Sequence, residues 1–412
     1  MKPLEGITVL DMSRVIAGPH ATRQLSDLGA RVIKVSSTRN LDVARPGAMR
    51  KGNQDYNQEG GWMYNELNHG KLDISINLKS DAGRKIFDQL VAISDVVVCN
   101  YGVKAFEKLK LTFEDLSEIK RDIIVLNASG LGAWGPYSNF VTYAPVLQAI
   151  TGISVLVGYE GDEVPIDEYA AIADYVGGLT IANYLLAALA YRDRTGAGQF
   201  IDISQGEAAA MLLGGALLDW QVNQNPPELQ GNHDPYRMAA PHNTYPCRGE
   251  DAWCAIAVRS EEEWKRFCQV ADPAGSWSSD SAFATQAARI SNQRSLDEHI
   301  TEWTSAKDRF EIAEQLQQNG VSAAPVLTAC ECLWEDQDLQ QRDFYRQMPF
   351  PPSACTPESF LVTGVLPRVE GLGNPRTVAP APATGADRDY VLSNILGMSK
   401  EAILEAAQAG AF

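Results

Sequence analysis

An α/β fold with a parallel sheet is the prediction, and three features of the sequence carry it. The chain opens as Ile7 to Met12, a loop Ser13-Arg14-Val15-Ile16-Ala17-Gly18-Pro19, a helix from about His20 to Leu28, and Ala30 to Val35. Strand, helix, strand in that order is a βαβ unit. Val96 to Val98 is an uninterrupted apolar run of strand length, as a strand buried on both faces requires. Later, a long apolar helix beginning near Asp174 leads through the glycine-rich turn Arg194-Thr195-Gly196-Ala197-Gly198-Gln199 into a short strand, Phe200 to Ile203.

The intervening segments follow the same alternation. Residues Thr38 to Glu66 are polar, rich in Gly, Asn and Arg and without periodicity, so they read as a long loop over a site. Leu72 to Leu78 alternates as a strand, and Ser80 to Ile93 is an amphipathic helix with Ile86, Leu90 and Ile93 on one side. Asn100-Tyr101-Gly102 ends the Val96–Val98 strand, and helices from Ala105 and over Phe113 to Ile119 follow. The strand Ile123 to Asn127 runs into Ala128-Ser129-Gly130-Leu131-Gly132, beyond a strand's carboxyl end, where open α/β sheets hold ligands. The opening lacks GxGxxG, so the dinucleotide fingerprint is absent.

In the long helix, Ile172, Val176, Leu179, Ala182, Leu186, Leu189 and Ala190 recur mostly at three- and four-residue spacings. One broad apolar stripe results, and the helix is expected to be largely buried. Asp174 stands at its start, where free backbone N–H groups and the helix dipole stabilise a carboxylate. Taken alone, that is an N-cap. Gly177-Gly178, one turn later, strips side chains from the helix and opens a path for a ligand, which favours a functional role.

Glu207 to Val222 continues helical, and Asn223 to Glu228 has linker composition. A smaller α/β region begins near Tyr245. It has a strand near Trp253 to Val258 and helices over Ser260 to Val270, Ser295 to Thr304 and Asp308 to Gln318, the last closed by Asn319-Gly320. The tail has a strand at Ala323 to Leu327, a helix around Cys330 to Asp336, a Pro- and Gly-rich stretch from Pro349 to Gly385, and helices over Asp389 to Leu396 and Ser399 to Ala407. Without a core of its own, it is expected to rejoin the first domain. The division is 1–222, 223–325 and 326–412.

Length and charge bound the function. At 412 residues the chain is long enough for two sizeable cores. Its 52 acidic against 35 basic residues give a formal net charge of −17, which argues against nucleic acid or an anionic membrane surface as partner. The start, MKPLEGITVLDMSRV, passes directly into a strand pattern, with no signal peptide and no apolar run of membrane-spanning length, so a cytoplasmic protein is expected. Seven cysteines scattered over the chain argue against a disulfide framework. The close pair Cys330 and Cys332 lacks the further ligands of a closed metal site, so no metal is expected.

The pattern around Asp174 resembles CoA-transferase family III, the formyl-CoA and carnitine CoA-transferase family. The residues that carry the likeness are Ala173-Asp174, Gly177-Gly178, Ala188-Leu189, Arg192, Thr195-Gly196-Ala197-Gly198-Gln199 and Asp202-Ile203-Ser204. Leu4-Glu5-Gly6, Gly18-Pro19, Leu28-Gly29-Ala30, Asn68 with Lys71, Ser94-Asp95-Val96-Val97, Gly135-Pro136-Tyr137, Gln148-Ala149 and Ala324-Pro325-Val326 extend it over nearly the whole chain. The resemblance implies a large doubly wound, Rossmann-like domain built from both chain ends, a small α/β domain between them, and an interlocked dimer.

It also implies an activity. CoA would pass from an acyl-CoA donor, with succinyl-CoA among the candidates, to a carboxylic acid acceptor, through an aspartyl-CoA thioester on Asp174. No cofactor is tightly bound; the coenzyme A thioester is a substrate. CoA contacts carried over from the family fall on Val15, Ala17, Ile76, Asn100, Tyr101 and Ala105. Lys108 stands where relatives often place an arginine, and as a point charge it lacks the bidentate fork. Tyr143 belongs to the site, and Arg14, Arg39, Arg50 and Arg237 are candidates to neutralise a second carboxylate of the acceptor. His20, His69, His233, His242 and His299 are scattered without ligand spacing.

Three departures bear on the substrate. Ser36 replaces the usual Glu after the second strand, with Arg39 shifted from the family's basic position. Ala144 replaces an acidic residue after Tyr143, and Gly231-Asn232-His233-Asp234-Pro235 stands in place of a glycine-rich loop. The alternatives left open are an acyl-CoA racemase or isomerase of the same family, an intramolecular CoA-transferase, and a heteromer with a related subunit in place of a homodimer.

Overall fold

In the computed structural model, residues 2–46, 59–159, 161–163, 171–226, 229, 231–234, 236–349, 359–364 and 378–412 are described. Arg50, Pro235, Cys355 and much of the 349–385 stretch lie outside them. The chain divides into two compact units. One comprises Met1–Ser154, Asp167–Asn225 and Gln337–Phe412; the other comprises Val155–Ile166 and Pro226–Asp336.

The first unit is built on a six-stranded sheet. In chain order it has β1 (Thr8–Asp11), α1 (Ala17–Asp27), β2 (Arg31–Ser36), α2 (Trp62–Asn68), β3 (Leu72–Ser75), α3 (Asp81–Ile93), β4 (Val96–Cys99), α4 (Val103–Lys108), α5 (Phe113–Ser117) and β5 (Ile124–Asn127). Then come α6 (Ala144–Thr151), α7 (Ile172–Thr195), β6 (Gln199–Asp202), α8 (Gln205–Ala210) and α9 (Gly214–Asn223). The strand order is β3-β2-β1-β4-β5-β6, and every pairing is parallel. This is the doubly wound order, with the reversal between β1 and β4.

Alternation along the strands builds a core on each face. Leu10, Ile33, Val97 and Val125 pack with Ile86, Phe87 and Leu90 of α3 and with Val391 and Leu392 near the chain end. Val9, Val32, Val96, Val98 and Ile124 pack with Ala21 and Leu25 of α1 and with Ile181, Leu185 and Leu189 of α7. Burial on both faces explains why the strands read as continuous apolar runs.

The tail belongs to the first unit through buried polar contacts. Arg45, 1% exposed, reaches Asp73 and Glu59 at 2.6 Å each and the carbonyl of Pro382 at 3.2 Å. Asp73 in turn accepts from the N–H of Gly385 at 2.6 Å. A hairpin of β10 (Tyr345–Pro349) and β11 (Ser359–Thr363) is held where Arg23 and Glu66 meet Thr363.

The second unit has a three-stranded antiparallel sheet of β7 (His242–Pro246), β8 (Trp253–Ala257) and β9 (Ser322–Pro325). Trp264, Phe267, Leu296, Ile300, Ile312 and Leu316 from its helices pack with Tyr245 and Ile256. The boundary falls after Asp336 rather than at 325, because Arg309 pairs with Glu331 and holds the helix Ala329–Trp334 in this unit.

Several expectations need correction. The 38–66 loop ends in α2, and β3 stops at Ser75 rather than Leu78. The 207–222 helix is broken into α8, a single turn and α9. Helix α7 is only partly buried: Leu179, Tyr184, Leu186 and Tyr191 are 38–55% exposed. Its buried side is set by Ala173, Gly177 and Gly178 in the first turns and by Ile181, Leu185, Ala188 and Leu189 further along, so small residues face the protein beside Asp174 and larger apolar ones beyond. At 24 residues α7 also has the length and hydropathy to cross a membrane, contrary to the sequence reading.

Candidate active site

The site is organised by the switch point. Chain leaving β1 turns one way across the sheet and chain leaving β4 turns the other, so a crevice opens beyond their carboxyl ends. Asp11 closes β1 and fixes the loop that follows. It accepts from the N–H of Ser13 at 2.9 Å, from Thr22 Oγ1 at 2.7 Å and from Lys71 Nζ at 2.9 Å. Burial opposes ionisation of Asp11, but Lys34 and Lys71 outweigh it and hold the carboxyl below the usual range. Lys34 Nζ also donates to the carbonyl of Ser13 at 2.8 Å.

Val15 sits in that loop at φ +65°, a left-handed conformation that a β-branched residue rarely adopts. Two contacts impose it. The Val15 N–H donates to Asp42 at 3.1–3.2 Å, and the Asn100 amide brackets the backbone of Arg14. The same device recurs along the sheet. The Asn127 amide pairs with the backbone of Tyr101 at 3.1–3.2 Å, and Asp202 accepts from the N–H of Ala133 at 2.9–3.0 Å. Each of these strand ends latches a neighbouring loop, so the rim of the crevice is one connected structure.

Asp174 is not the N-cap of α7. That position is Ala171, at φ +48° and without a side-chain cap bond, and Asp174 lies in the first turn. Among the described residues nothing hydrogen-bonds the Asp174 carboxyl, and burial raises its pKa to about 6. Nor do the glycines open a path. A Cβ on Gly178 would stand 2.7 Å from His20 Cδ2 and 2.8 Å from the carbonyl oxygen of Ala17, and one on Gly177 would stand 3.1 Å from Gln205 Cγ. They let α1 and α8 approach closely, and they set the Asp174 turn beside the start of α1.

His20 stacks edge-on against Tyr175 at 5.1 Å, and burial, with Arg23 and Lys71, pulls its pKa down to about 4, so it is neutral near pH 7. Val15, Asn100 and Tyr101 thus lie at the switch point, and the Asp174 turn lies beside Ala17 at the start of α1. Ala105 and Lys108 are exposed on α4 just after Asn100-Tyr101. Ile76, 3% exposed, belongs to the apolar core. Arg39 is exposed, and Arg14 donates to the carbonyl of Leu41. Tyr143 is 56% exposed at the N-cap of α6. Arg237 belongs to the second unit, as does a cleft of about 770 Å³ lined by Asn232, His233, His242 and Asn243. Sequence reasoning passed over Asp11, Asn127 and Gln205. The signal for the first two was a polar residue closing an apolar strand.

The sequence profile of CoA-transferase family III matches residues 4–388, and the chain belongs to that family. The probable CoA-transferase Rv1866 of Mycobacterium tuberculosis is 30% identical, over 97% of this chain and 49% of its own; the chain spans about half the length of that relative. The succinate–glutarate CoA-transferase of Agrobacterium fabrum is 28% identical over 82% of this chain and 84% of its own. A CaiB/BaiF family crystal structure from Brucella suis superposes with TM-score 0.83 at 26% identity, covering 96% of this chain and 99% of that one.

Proposed function

We propose that this protein is a CoA-transferase that moves CoA from an acyl-CoA thioester to a carboxylic acid through an aspartyl-CoA thioester on Asp174. The observation that carries the reading is the seating of Gly178 against Ala17 and His20, which sets the Asp174 turn beside the switch-point loop. A carboxylate oxygen of Asp174 attacks the donor carbonyl carbon, the C–S bond breaks, and CoA leaves as thiolate. The thiolate attacks the Asp174 carbonyl of the resulting anhydride, releasing the donor acid and leaving the aspartyl-CoA thioester. The acceptor carboxylate then takes the CoA by the reverse steps. Burial makes the Asp174 carboxylate a better nucleophile by removing its hydration, yet with a pKa of about 6 it stays mostly ionised near pH 7.

CoA itself is a substrate in this reading, with no tightly bound cofactor. Val15, Ala17, Asn100, Tyr101, Ala105 and Lys108 form its binding track, and Arg39 and Tyr143 serve the acceptor side. Succinyl-CoA leads the candidate donors, supported by the relative named a succinate–glutarate CoA-transferase. The racemase alternative has less support, because Tyr143 is followed by Ala144 where that chemistry needs a base. An intramolecular transfer uses the same Asp174 chemistry.

The working form is proposed to be a cytoplasmic dimer, interlocked, of identical or related chains. Leu179, Tyr184 and Leu186 on α7 and Leu217, Leu218, Trp220 and Val222 on α9 are exposed apolar side chains of the kind interfaces cover. Light scattering and co-purification test the assembly. The chemistry is tested by mass spectrometry after incubation with a panel of acyl-CoAs and trapping with hydroxylamine or borohydride. A CoA-dependent change at Asp174, lost in Asp174→Ala, is the expected result. Exchange of the α-proton with deuterated solvent and no change at Asp174 would replace the transferase with a racemase.

A further inference from the structure

On α6, on α8 and in the loop after β5, three buried side chains carry polar atoms with no hydrogen-bond partner among the described residues. They are both amide atoms of Gln148, Oε1 of Gln205 and Oγ of Ser129. Their residues are 1%, 5% and 4% exposed. Folded proteins rarely leave buried polar side chains unpartnered, and an amide with neither atom satisfied is a marked exception.

Gln205 and Ser129 lie together beside Gly177, and Gln148 is on a helix that packs against their surroundings. The Gln205 side chain lies on Gly177, with Oε1 3.5 Å from where a Cβ of that glycine would stand. Gly177 is three residues beyond Asp174 and shares its side of the helix. Gln205 Nε2 donates to the carbonyl of Ala128 at 2.7 Å, which fixes that amide. Ser129, next in sequence, accepts the Gln205 N–H on its own carbonyl at 3.1 Å. Gln148 lies on α6, which packs on both α7 and α8. Thr151, one turn along the same side of α6, reaches to 3.6 Å from the Cβ position of Gly206, beside Gln205.

We infer that Gln148, with Ser129, supplies the hydrogen-bond donors for the acyl oxygen when Asp174 attacks the thioester. The inference rests on the transferase reading of Asp174. As the Oδ–C bond forms, the carbonyl π electrons move onto the acyl oxygen, and Gln148 Nε2–H and Ser129 Oγ–H donate to it without transferring a proton. When the tetrahedral species collapses, the electron pair returns, the C–S bond breaks and both donors are released. A donor held unpaired in the buried protein needs no reorganisation before it meets the developing charge.

The test is Gln148→Leu in the full-length protein, read by thermal unfolding and by the rate of CoA-dependent adduct formation at Asp174. Replacing an unpaired buried amide by an apolar side chain of similar size raises Tm by about 2–4 °C. The adduct rate falls ~10²-fold, with KM for the acyl-CoA little changed, as for loss of one oxyanion donor. Ser129→Ala, a small deletion, lowers the same rate ~10-fold and tests the second donor separately. Adduct formation at the wild-type rate in either variant overturns the inference, and so does a lower Tm in Gln148→Leu, which would mean that the amide has a structural partner. A wild-type protein that forms no adduct with any acyl-CoA sinks the transferase reading itself, and the inference with it.

Discussion

The side-chain amide of Asn100 brackets the backbone of Arg14, accepting from its N–H at 2.9 Å and donating to its carbonyl at 2.8 Å. The residues are 86 apart in sequence and lie at the carboxyl ends of adjacent strands, β4 and β1. One amide thus holds together the two loops that diverge at the switch point. It also holds Val15, next to Arg14, in its left-handed conformation.

Asn100→Ala removes both bonds at once. Stability is expected to fall by about 1–2 kcal/mol, the net worth of two part-buried hydrogen bonds. KM for acyl-CoA is expected to rise more than kcat falls, since the loop forms the proposed binding track and not the nucleophile. Denaturant unfolding and steady-state kinetics check the two parts separately.

Gly178→Ala is predicted to damage both stability and transfer. Its Cβ would stand 2.8 Å from the Ala17 carbonyl oxygen, a backbone atom that cannot move aside cheaply. Overpacking of this kind costs about 1–3 kcal/mol, and α7 moves relative to α1. Gly196→Ala is a contrast, since nothing lies within 4 Å of its Cβ position and the strain there comes only from φ +71°. The Gly178 variant should lose adduct formation at Asp174, while the Gly196 variant loses stability alone.

The pH dependence follows from Asp174. Burial raises its pKa from 3.8 to about 6, so transfer should rise with pH and level off above about pH 7. The stability effect has the opposite sign. A carboxyl with a folded-state pKa above its unfolded value favours folding when protonated, and that advantage is lost as pH rises from about 4 to about 6. Asp174→Asn should therefore stabilise the protein near pH 7, by on the order of 2–3 kcal/mol at most, and the gain should vanish near pH 4. Unfolding curves at the two pH values decide it.

Lys108→Arg tests the proposed phosphate contact. A guanidinium fork grips a phosphate bidentately where an ammonium cannot. KM for acyl-CoA should fall a few-fold in the variant, and the gain should disappear with a dephosphorylated CoA analogue. An equal effect on both substrates would place Lys108 away from the nucleotide phosphate.

Much of the frame was legible in sequence. Val96–Val98 and Ile123–Asn127 were read as strands because uninterrupted apolar runs suit strands covered on both faces, and the structure covers them so. Asp174, Asn100 and Tyr101 were singled out by likeness to a family; the strand order puts Asn100 and Tyr101 at the switch point, and the contact of α7 with α1 sets the Asp174 turn beside Ala17 and His20. Helix α6 and the β10–β11 hairpin were not read at all. Their segments carry little local periodicity, and they exist where α8 covers one and the other is held at Arg23 and Glu66.

By itself the sequence determined the alternation of strand and helix, the two-sided burial of the strands, and the acid opening a helix rich in small residues. Those are local properties, written in periods of two and 3.6 residues and in turn chemistry. The tertiary structure alone decided which side of α7 faces inward, that Gly178 seats α1 rather than a ligand, and that Gln205, bonded to Ser129, lies on Gly177. These depend on contacts between residues far apart in the chain, and a hydrophobic pattern names an apolar face without saying which neighbour covers it.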